Sequence, residues 1–304
     1  MKNKITFGHC AALITIIIWG GTTFISTKVL LNILSPIEIL FIRFLIGYII
    51  LWSIYPHHLH LTHKKEELYF MAAGLCGVTL YYLFENIALT YTLASNVGVI
   101  ISIAPFFTVI FACLFLHEEK PHIRFFIGFI IAMMGIYLIS FSGSQLQLNP
   151  FGDFLAIIAA IIWAGYSTLT KKLAGFGYHI IQTTRRTFFY GLLFMLPFTL
   201  MMGFDVDFSQ IVMPINLFNL LFLGLGASAL CFVTWNLAVK ILGSVKTSVY
   251  IYIVPVITAM TSTFILHEKM TFTTLLGIIL TLVGLLLSEN KKTKKENIIY
   301  EYTE

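Results

Sequence analysis

The sequence is poor in charge: 11% of its 304 residues are Asp, Glu, Lys or Arg, whereas soluble domains carry about 25%. With 58% hydrophobic residues, such a chain cannot cover itself with a wet surface. Its polar residues fall in short breaks between apolar runs of roughly 18–24 residues, the length at which a helix crosses a bilayer. The composition therefore predicts an all-α, multi-pass membrane protein and excludes a soluble domain.

Motifs that carry chemistry are also missing. The sequence contains no GxxxxGK[ST] run that would bind a nucleotide, and no GxSxG or HExxH motif. The four cysteines show no CxxC spacing, so neither a disulfide framework nor a metal site is predicted. The ten-residue alternation of a transmembrane barrel is absent as well. We therefore expect no enzyme activity, no metal and no cofactor.

Breaks rich in turn residues and charges divide the chain into ten predicted helices. We place them at about 7–26, 36–55, 68–91, 95–116, 122–141, 151–171, 180–202, 214–239, 245–266 and 271–288. The first run has no clear cleavage site and has a counterpart later in the chain. We therefore expect it to be retained as a helix rather than removed as a signal peptide.

The two halves of the chain resemble each other. The matched segments are FGH (7–9) with FGD (151–153), WGG (19–21) with WAG (163–165), Arg43 with Arg186 after a one-residue shift, NIA (86–88) with NLA (236–238), LHE (116–118) with LHE (266–268), and Gly128 and Gly135 with Gly277 and Gly284. Each copy holds five helices, an odd number, so the second copy is inverted in the membrane. The predicted units are a first repeat at 1–145, a second repeat at 146–290 and a basic tail at 291–304.

The basic residues favour one orientation. If the N-terminus is cytoplasmic, most lysines and arginines between the predicted helices fall on the cytoplasmic side, which satisfies the positive-inside rule. An even number of helices then places both termini in the cytoplasm. The lysines in the tail add to the net charge of +5. We interpret them as contacts with anionic lipid rather than with nucleic acid, and we expect a monomer or homodimer in the cytoplasmic (inner) membrane.

These features together resemble the EamA-type transporters of the drug/metabolite transporter superfamily. The resemblance is carried by the two five-helix copies, by WGG at 19–21, by ALTYTLAS at 88–95, by the mid-helix Pro105 and Pro255, and by the LHE helix ends. Family members typically have Gly before the Glu at those helix ends, where this chain has His117 and His267. The resemblance implies a secondary transporter of a small organic metabolite that works by alternating access. It does not separate amino-acid exporters from multidrug exporters or importers.

Glu85 is the candidate that the sequence brings forward most strongly, because an acid inside an apolar run is costly in a membrane. Arg43 in helix two is predicted at the same depth, about 9 Å from one membrane surface. We therefore expect the two to form an ion pair that faces a central cavity and either binds a zwitterionic or charged substrate or exchanges a proton. Tyr81 and Tyr82 lie one turn before Glu85. The alternative is a purely structural ion pair that touches no substrate.

Further candidates follow from the repeat and from the kinks. Pro105 and Pro255 each free a carbonyl, of Ile101 and Ile251, at mid-membrane. The polar or aromatic residues that we expect near the substrate are Asn96, Ser102, Tyr252, Trp19, Trp163 and Arg186. The two tryptophans are either cavity walls or interface anchors, and Arg186 is either an orientation charge or part of an inward-facing cavity.

The source of energy stays open at this stage. Without a nucleotide motif, transport must use an ion gradient, with a proton exchanged at Glu85, or the gradient of the substrate itself. Export of amino acids or related compounds is the expected activity. An intramembrane enzyme and a membrane subunit that transports nothing are the distant alternatives.

Overall fold

A computed structural model describes residues 2–92, 94–117, 121–141, 149–257, 260 and 271–288. All regular secondary structure in these ranges is helical. The predicted basic tail, 291–304, lies outside them, as does the end of the predicted ninth helix.

The described helices follow the predicted ones closely. They are α1 (2–30), α2 (Pro36–Ile54), α3 (Lys64–Tyr91), α4 (94–115), α5 (Ile123–Phe141), α6 (Pro150–Ala174), α7 (Ile180–Met202), α8 (Pro214–Leu242), α9 (Ser244–Ile257) and α10 (Phe272–Ser288). A short helical turn, Phe208–Ile211, lies between α7 and α8. The largest difference from the prediction is at α1, which begins at residue 2 rather than 7.

Local sequence explains where several helices begin and end. Ser35 and Glu38 form a reciprocal capping box at the start of α2, with Pro36 at the first helical position. The Asn149 side chain accepts a hydrogen bond from the Gly152 amide at the start of α6. Gly203 ends α7 with a φ of 80°, a conformation that costs glycine little because it lacks a Cβ.

Within the described residues, five helices are long and apolar enough to cross a membrane: α2, α3, α4, α6 and α8. In each of these helices, between 44% and 56% of the most apolar stretch is buried inside the protein. Much of the remainder forms an apolar outer surface. Leu114, Ile130 and Leu286, for example, are more than half exposed. Apolar helices of 10–17 residues lie within α1, α5, α9 and α10.

The helices pack in a pattern that relates the first five to the last five. Helix α1 packs on α8, and α6 packs on α3 in the same way. Helix α2 packs on α7, and α5 on α10. If each helix of the first five is exchanged with the helix five places later, the α1–α8 contact becomes the α6–α3 contact. The α2–α7 and α5–α10 contacts stay the same under this exchange. Below, α1–α5 are called the first half and α6–α10 the second half.

The bundle has two chemically different ends. The basic end carries Lys64, Lys65, Lys171, Lys172, Arg185, Arg186 and Lys240, where α3 begins and α6 and α8 end. The acidic end carries Glu38, Asp153, Asp205 and Asp207, where α2 and α6 begin and α7 ends. At the acidic end, Lys28 of α1 donates to the Leu89 carbonyl at 2.6 Å, and Asp153 of α6 accepts from Thr92 at 3.2 Å. Helix α1 therefore ends where α6 begins, so the two run in opposite directions.

Helices α5 and α10 touch backbone to backbone through glycines. A Cβ added at Gly284 would lie 2.4 Å from the Ala132 amide nitrogen and 2.6 Å from the Gly128 carbonyl oxygen. A Cβ at Gly135 would lie 2.6 Å from the Gly277 carbonyl oxygen. Small residues allow this close approach between membrane helices. The repeat-related glycines thus have a structural role.

We expect Gly284→Val to lower the free energy of unfolding by at least about 1–3 kcal/mol, because a backbone clash cannot be relieved by a rotamer change. Val283→Ile adds a methylene on the exposed side of the same helix and should have little effect. Thermal unfolding of the purified variants in detergent checks the pair. Equal stability of Gly284→Val and the parent protein would contradict the glycine contact.

Candidate functional site

A small cavity of about 40 Å³ lies between the two halves. Helices α1, α3 and α4 line it from the first half, and α6 and α9 from the second. Its carboxyl and hydroxyl groups come from Glu85, Tyr81, Tyr82 and Thr23. Most of the remaining wall is apolar. The chemistry of this lining suits an organic molecule with one charged or hydrogen-bonding group and an apolar body, although the cavity would have to widen to admit one.

Glu85 is the one acid in the cavity wall, and it is only 4% exposed. The Tyr81 hydroxyl, one helical turn away, donates a hydrogen bond to its Oε1 at 3.0 Å. Within the described residues, no Lys, Arg or His nitrogen comes within ion-pair distance of it. The carboxyl group thus has one hydrogen bond and space beside it.

Arg43 does not form the predicted ion pair with Glu85. Its Nε donates to the Ser228 Oγ at 3.0 Å, and its Cζ lies 4.5 Å from the centre of the Tyr82 ring. The guanidinium therefore stacks on an aromatic face, which competes with a direct contact to the acid. Arg43 is close enough to act on Glu85 electrostatically, but Tyr82 is its contact. The sequence predicted that the two residues lie at the same depth, but it did not predict that the Tyr82 ring contacts the guanidinium.

Two tryptophans, Trp19 and Trp163, line the cavity, and a third, Trp235, packs against both of them. The ring centres of Trp19 and Trp163 are 5.2 Å apart, and Trp235 lies 5.6 Å from both. Because Trp19 and Trp163 line the cavity, they are cavity walls rather than interface anchors. Trp235 was not among the predicted site residues. The signal for it was available, because it is the repeat partner of Glu85.

Segments of π-helix widen three helices around this centre. They are Trp19–Thr23 in α1, Leu75–Leu80 in α3 and Phe222–Leu230 in α8. Segments of π-helix are rare in proteins, and those that occur are often found at functional sites. The segments in α3 and α8 occupy matching places in the two repeats, whereas the WAG segment of α6 that matches Trp19–Gly21 is ordinary α-helix. The sequence analysis did not predict these segments.

The prolines of α4 and α9 coincide with interruptions of the regular α-helix. Two turn residues separate Ile101 from the helix that contains Pro105. A 3₁₀ segment, Val249–Tyr252, precedes Pro255. Ile101 and Ile251, the residues four before each proline, both line the cavity. The interruptions therefore lie next to the cavity.

Besides Arg43, four predicted site residues do not line the cavity, and three of them have local contacts. Asn96 donates to the Thr92 Oγ1 at 3.1 Å near the acidic end. Ser102 donates back to the Gly98 carbonyl at 2.8 Å within its own helix. Tyr252 is fully buried in the contact between α9 and the α5–α10 pair. None of the three lines the cavity.

Arg186, the fourth, is held at the basic end. Its Nε and Nη2 donate to the two carboxylate oxygens of Glu67 at 2.8 and 2.5 Å, and Tyr190 donates to the same carboxylate. This bidentate pair is about 30% and 24% exposed. The repeat partner of Arg43 thus has its own acid and is not part of the cavity.

Repeat-related contacts join the two halves at both ends of the bundle. A Cβ on Gly8 would lie 2.9 Å from the Ile241 side chain, and one on Gly152 would lie 2.9 Å from the Tyr91 side chain. These two contacts occupy equivalent places in the two repeats. Each one joins the first half to the second.

The sequence model of the EamA-like transporter family matches residues 6–141 and, a second time, residues 150–289. A protein of Archaeoglobus fulgidus described as an uncharacterized transporter is 32% identical over 93% of this chain and 98% of its own length.

The chain belongs to the EamA-like transporter family. With its apolar helices, this makes it a multi-pass membrane protein.

More distant relatives of this EamA-like protein include one described as a probable terminal-alkyne amino-acid exporter, from Streptantibioticus cattleyicolor. It is 25% identical over 72% of both chains. A solved crystal structure superposes with a TM-score of 0.72 and covers 95% of this chain and 96% of the other, at 16% identity. That likeness shows a shared fold.

The arrangement around Glu85 predicts the stability of one variant. Breaking a direct buried ion pair costs about 3–5 kcal/mol. Because Glu85 contacts Tyr81 rather than Arg43, and because Gln keeps an oxygen for Tyr81, we expect Glu85→Gln to change the unfolding free energy by less than about 1 kcal/mol. Thermal unfolding followed by tryptophan fluorescence measures the change. A loss as large as that of a broken buried pair would contradict this geometry.

Proposed function

We propose that this protein is a secondary transporter that exports amino acids or related small organic compounds across the cytoplasmic membrane. The observation that carries the proposal is Glu85, a buried acid with no ion-pair partner in the described residues, in the wall of a cavity shared by both halves. An intramembrane acid in such a place belongs to a substrate or proton pathway by default. The relative described as a probable terminal-alkyne amino-acid exporter supports the substrate class and the direction.

Alternating access of two inverted five-helix repeats, 1–145 and 146–290, is the proposed mechanism. The opposite directions of α1 and α6 and the exchange symmetry of the helix contacts support the inversion. The basic end would face the cytoplasm, as the positive-inside rule requires. Closing contacts at Gly8 and Gly152 would then open in turn.

Glu85 offers a simple way to couple substrate to protons. An isolated carboxylate in the membrane interior is costly, so this group needs either a proton or a cationic partner. The ammonium group of a substrate and a proton would compete for the same oxygens. Binding of one would release the other, which is the requirement for exchange of a proton for a substrate.

The test is uptake of radiolabelled amino acids by proteoliposomes with an acidic lumen. We expect at least one L-amino acid to accumulate while the pH gradient lasts, and Glu85→Gln to reduce this uptake to that of protein-free liposomes. Asp207→Asn is the control, because it removes an exposed acid from the loop between α7 and α8. Unchanged uptake in Glu85→Gln would contradict the assigned role of Glu85.

Efflux of apolar amines is a second candidate, favoured by the mostly aromatic and aliphatic wall of the cavity. The same assay separates the two candidates if amines are added to the panel. No flux of any amino acid or amine, with or without the gradient, would contradict transport as proposed.

A further inference from the structure

Arg43 is the least satisfied charged group in the described part of the chain. Its side chain is fully buried, and its Nη1 and Nη2 atoms have no hydrogen-bond partner among the described residues. Only Nε is used, in the bond to Ser228. Leaving a buried cation without an anion is expensive. A chain that needed Arg43 only for packing could have used an apolar residue of similar size.

The repeat supplies a comparison within the same molecule. Arg186, which the sequence repeat relates to Arg43 after a one-residue shift, uses Nε and Nη2 on the carboxylate of Glu67. A guanidinium fork matches the two oxygens of a carboxylate, and such paired bonds are among the strongest in proteins. The first half keeps the arginine but supplies no acid within ion-pair distance in the described residues.

Tyr82 connects Arg43 to the cavity. One face of its ring lies 4.5 Å from the Arg43 Cζ, and the same side chain lines the cavity beside Glu85. The ring is only 3% exposed. A rotation of this one side chain, or a shift of the π-helical turn that precedes it, would bring the free Nη atoms to the cavity.

We propose that Arg43 binds the carboxylate of the substrate, and that Tyr82 covers this site when no substrate is bound. Glu85 then holds the ammonium group or the proton, and the aromatic wall holds the side chain. The proposal rests on the proposed transport function and narrows its substrate class to amino acids and other carboxylates.

The experiment compares each amino acid of the transport panel with two matched analogues. One analogue lacks the carboxyl group and the other lacks the amino group; for L-leucine these are 3-methylbutylamine and 4-methylpentanoate. Each compound competes against labelled amino acid in proteoliposomes of the parent protein. We expect the amines to compete about tenfold more weakly or worse, because a charge-assisted hydrogen bond contributes about 1.5–3 kcal/mol.

Variants of Arg43 locate the effect. In Arg43→Gln, the preference for compounds with a carboxylate should disappear, while Arg43→Lys should retain part of it because the charge remains without the fork. Ser228→Ala is the control, because it removes the Nε contact and keeps the guanidinium.

The ligand comparison in the parent protein needs no variant and stands even if Arg43→Gln does not fold. Amines that compete as well as the amino acids would overturn the carboxylate site while leaving transport intact. A preference for carboxylates that survives in Arg43→Gln would do the same. Absence of any flux would instead contradict the transport function on which the proposal rests.

Discussion

The energetic cost of a carboxyl group inside a membrane protein is the constraint on which this structure depends. Among the described residues, no basic side chain forms an ion pair with the buried Glu85, and Tyr81 gives it one hydrogen bond. Because a buried group of this kind destabilises a fold, its presence indicates a function. The π-helical segment before it, the interrupted helices opposite it and the tryptophan wall all surround this point. The fold can therefore be understood as a scaffold around one ionisable group.

The two repeats supply the scaffold, and their differences supply the chemistry. Where the first half has Glu85, the second has Trp235, which packs against Trp19 and Trp163. Where the second half pairs Arg186 with Glu67 at the basic end, the first half leaves two nitrogens of Arg43 without a partner. Symmetry thus accounts for the packing. The departures from symmetry place one acid and one free guanidinium near the centre.

Much of the fold could be predicted from the sequence, because apolar runs and turn residues determine where helices begin and end. Glu85, Tyr81, Tyr82, Trp19 and Trp163 line one cavity, while their contact with a substrate stays a prediction. The predicted ion pair between Arg43 and Glu85 is wrong, because the depth of two residues along their helices does not reveal an aromatic ring between them. Asn96, Ser102 and Tyr252 failed for a related reason, because nearness to a kink does not fix the direction of a side chain.

Release of protons by substrate tests the central claim most directly. Purified protein in weakly buffered detergent solution is mixed with a transported amino acid, and a pH indicator records the change. If substrate and proton compete for Glu85, the parent protein and Asp207→Asn release protons on binding, and Glu85→Gln releases none. Equal release from Glu85→Gln, or binding without release in the parent protein, would contradict the account.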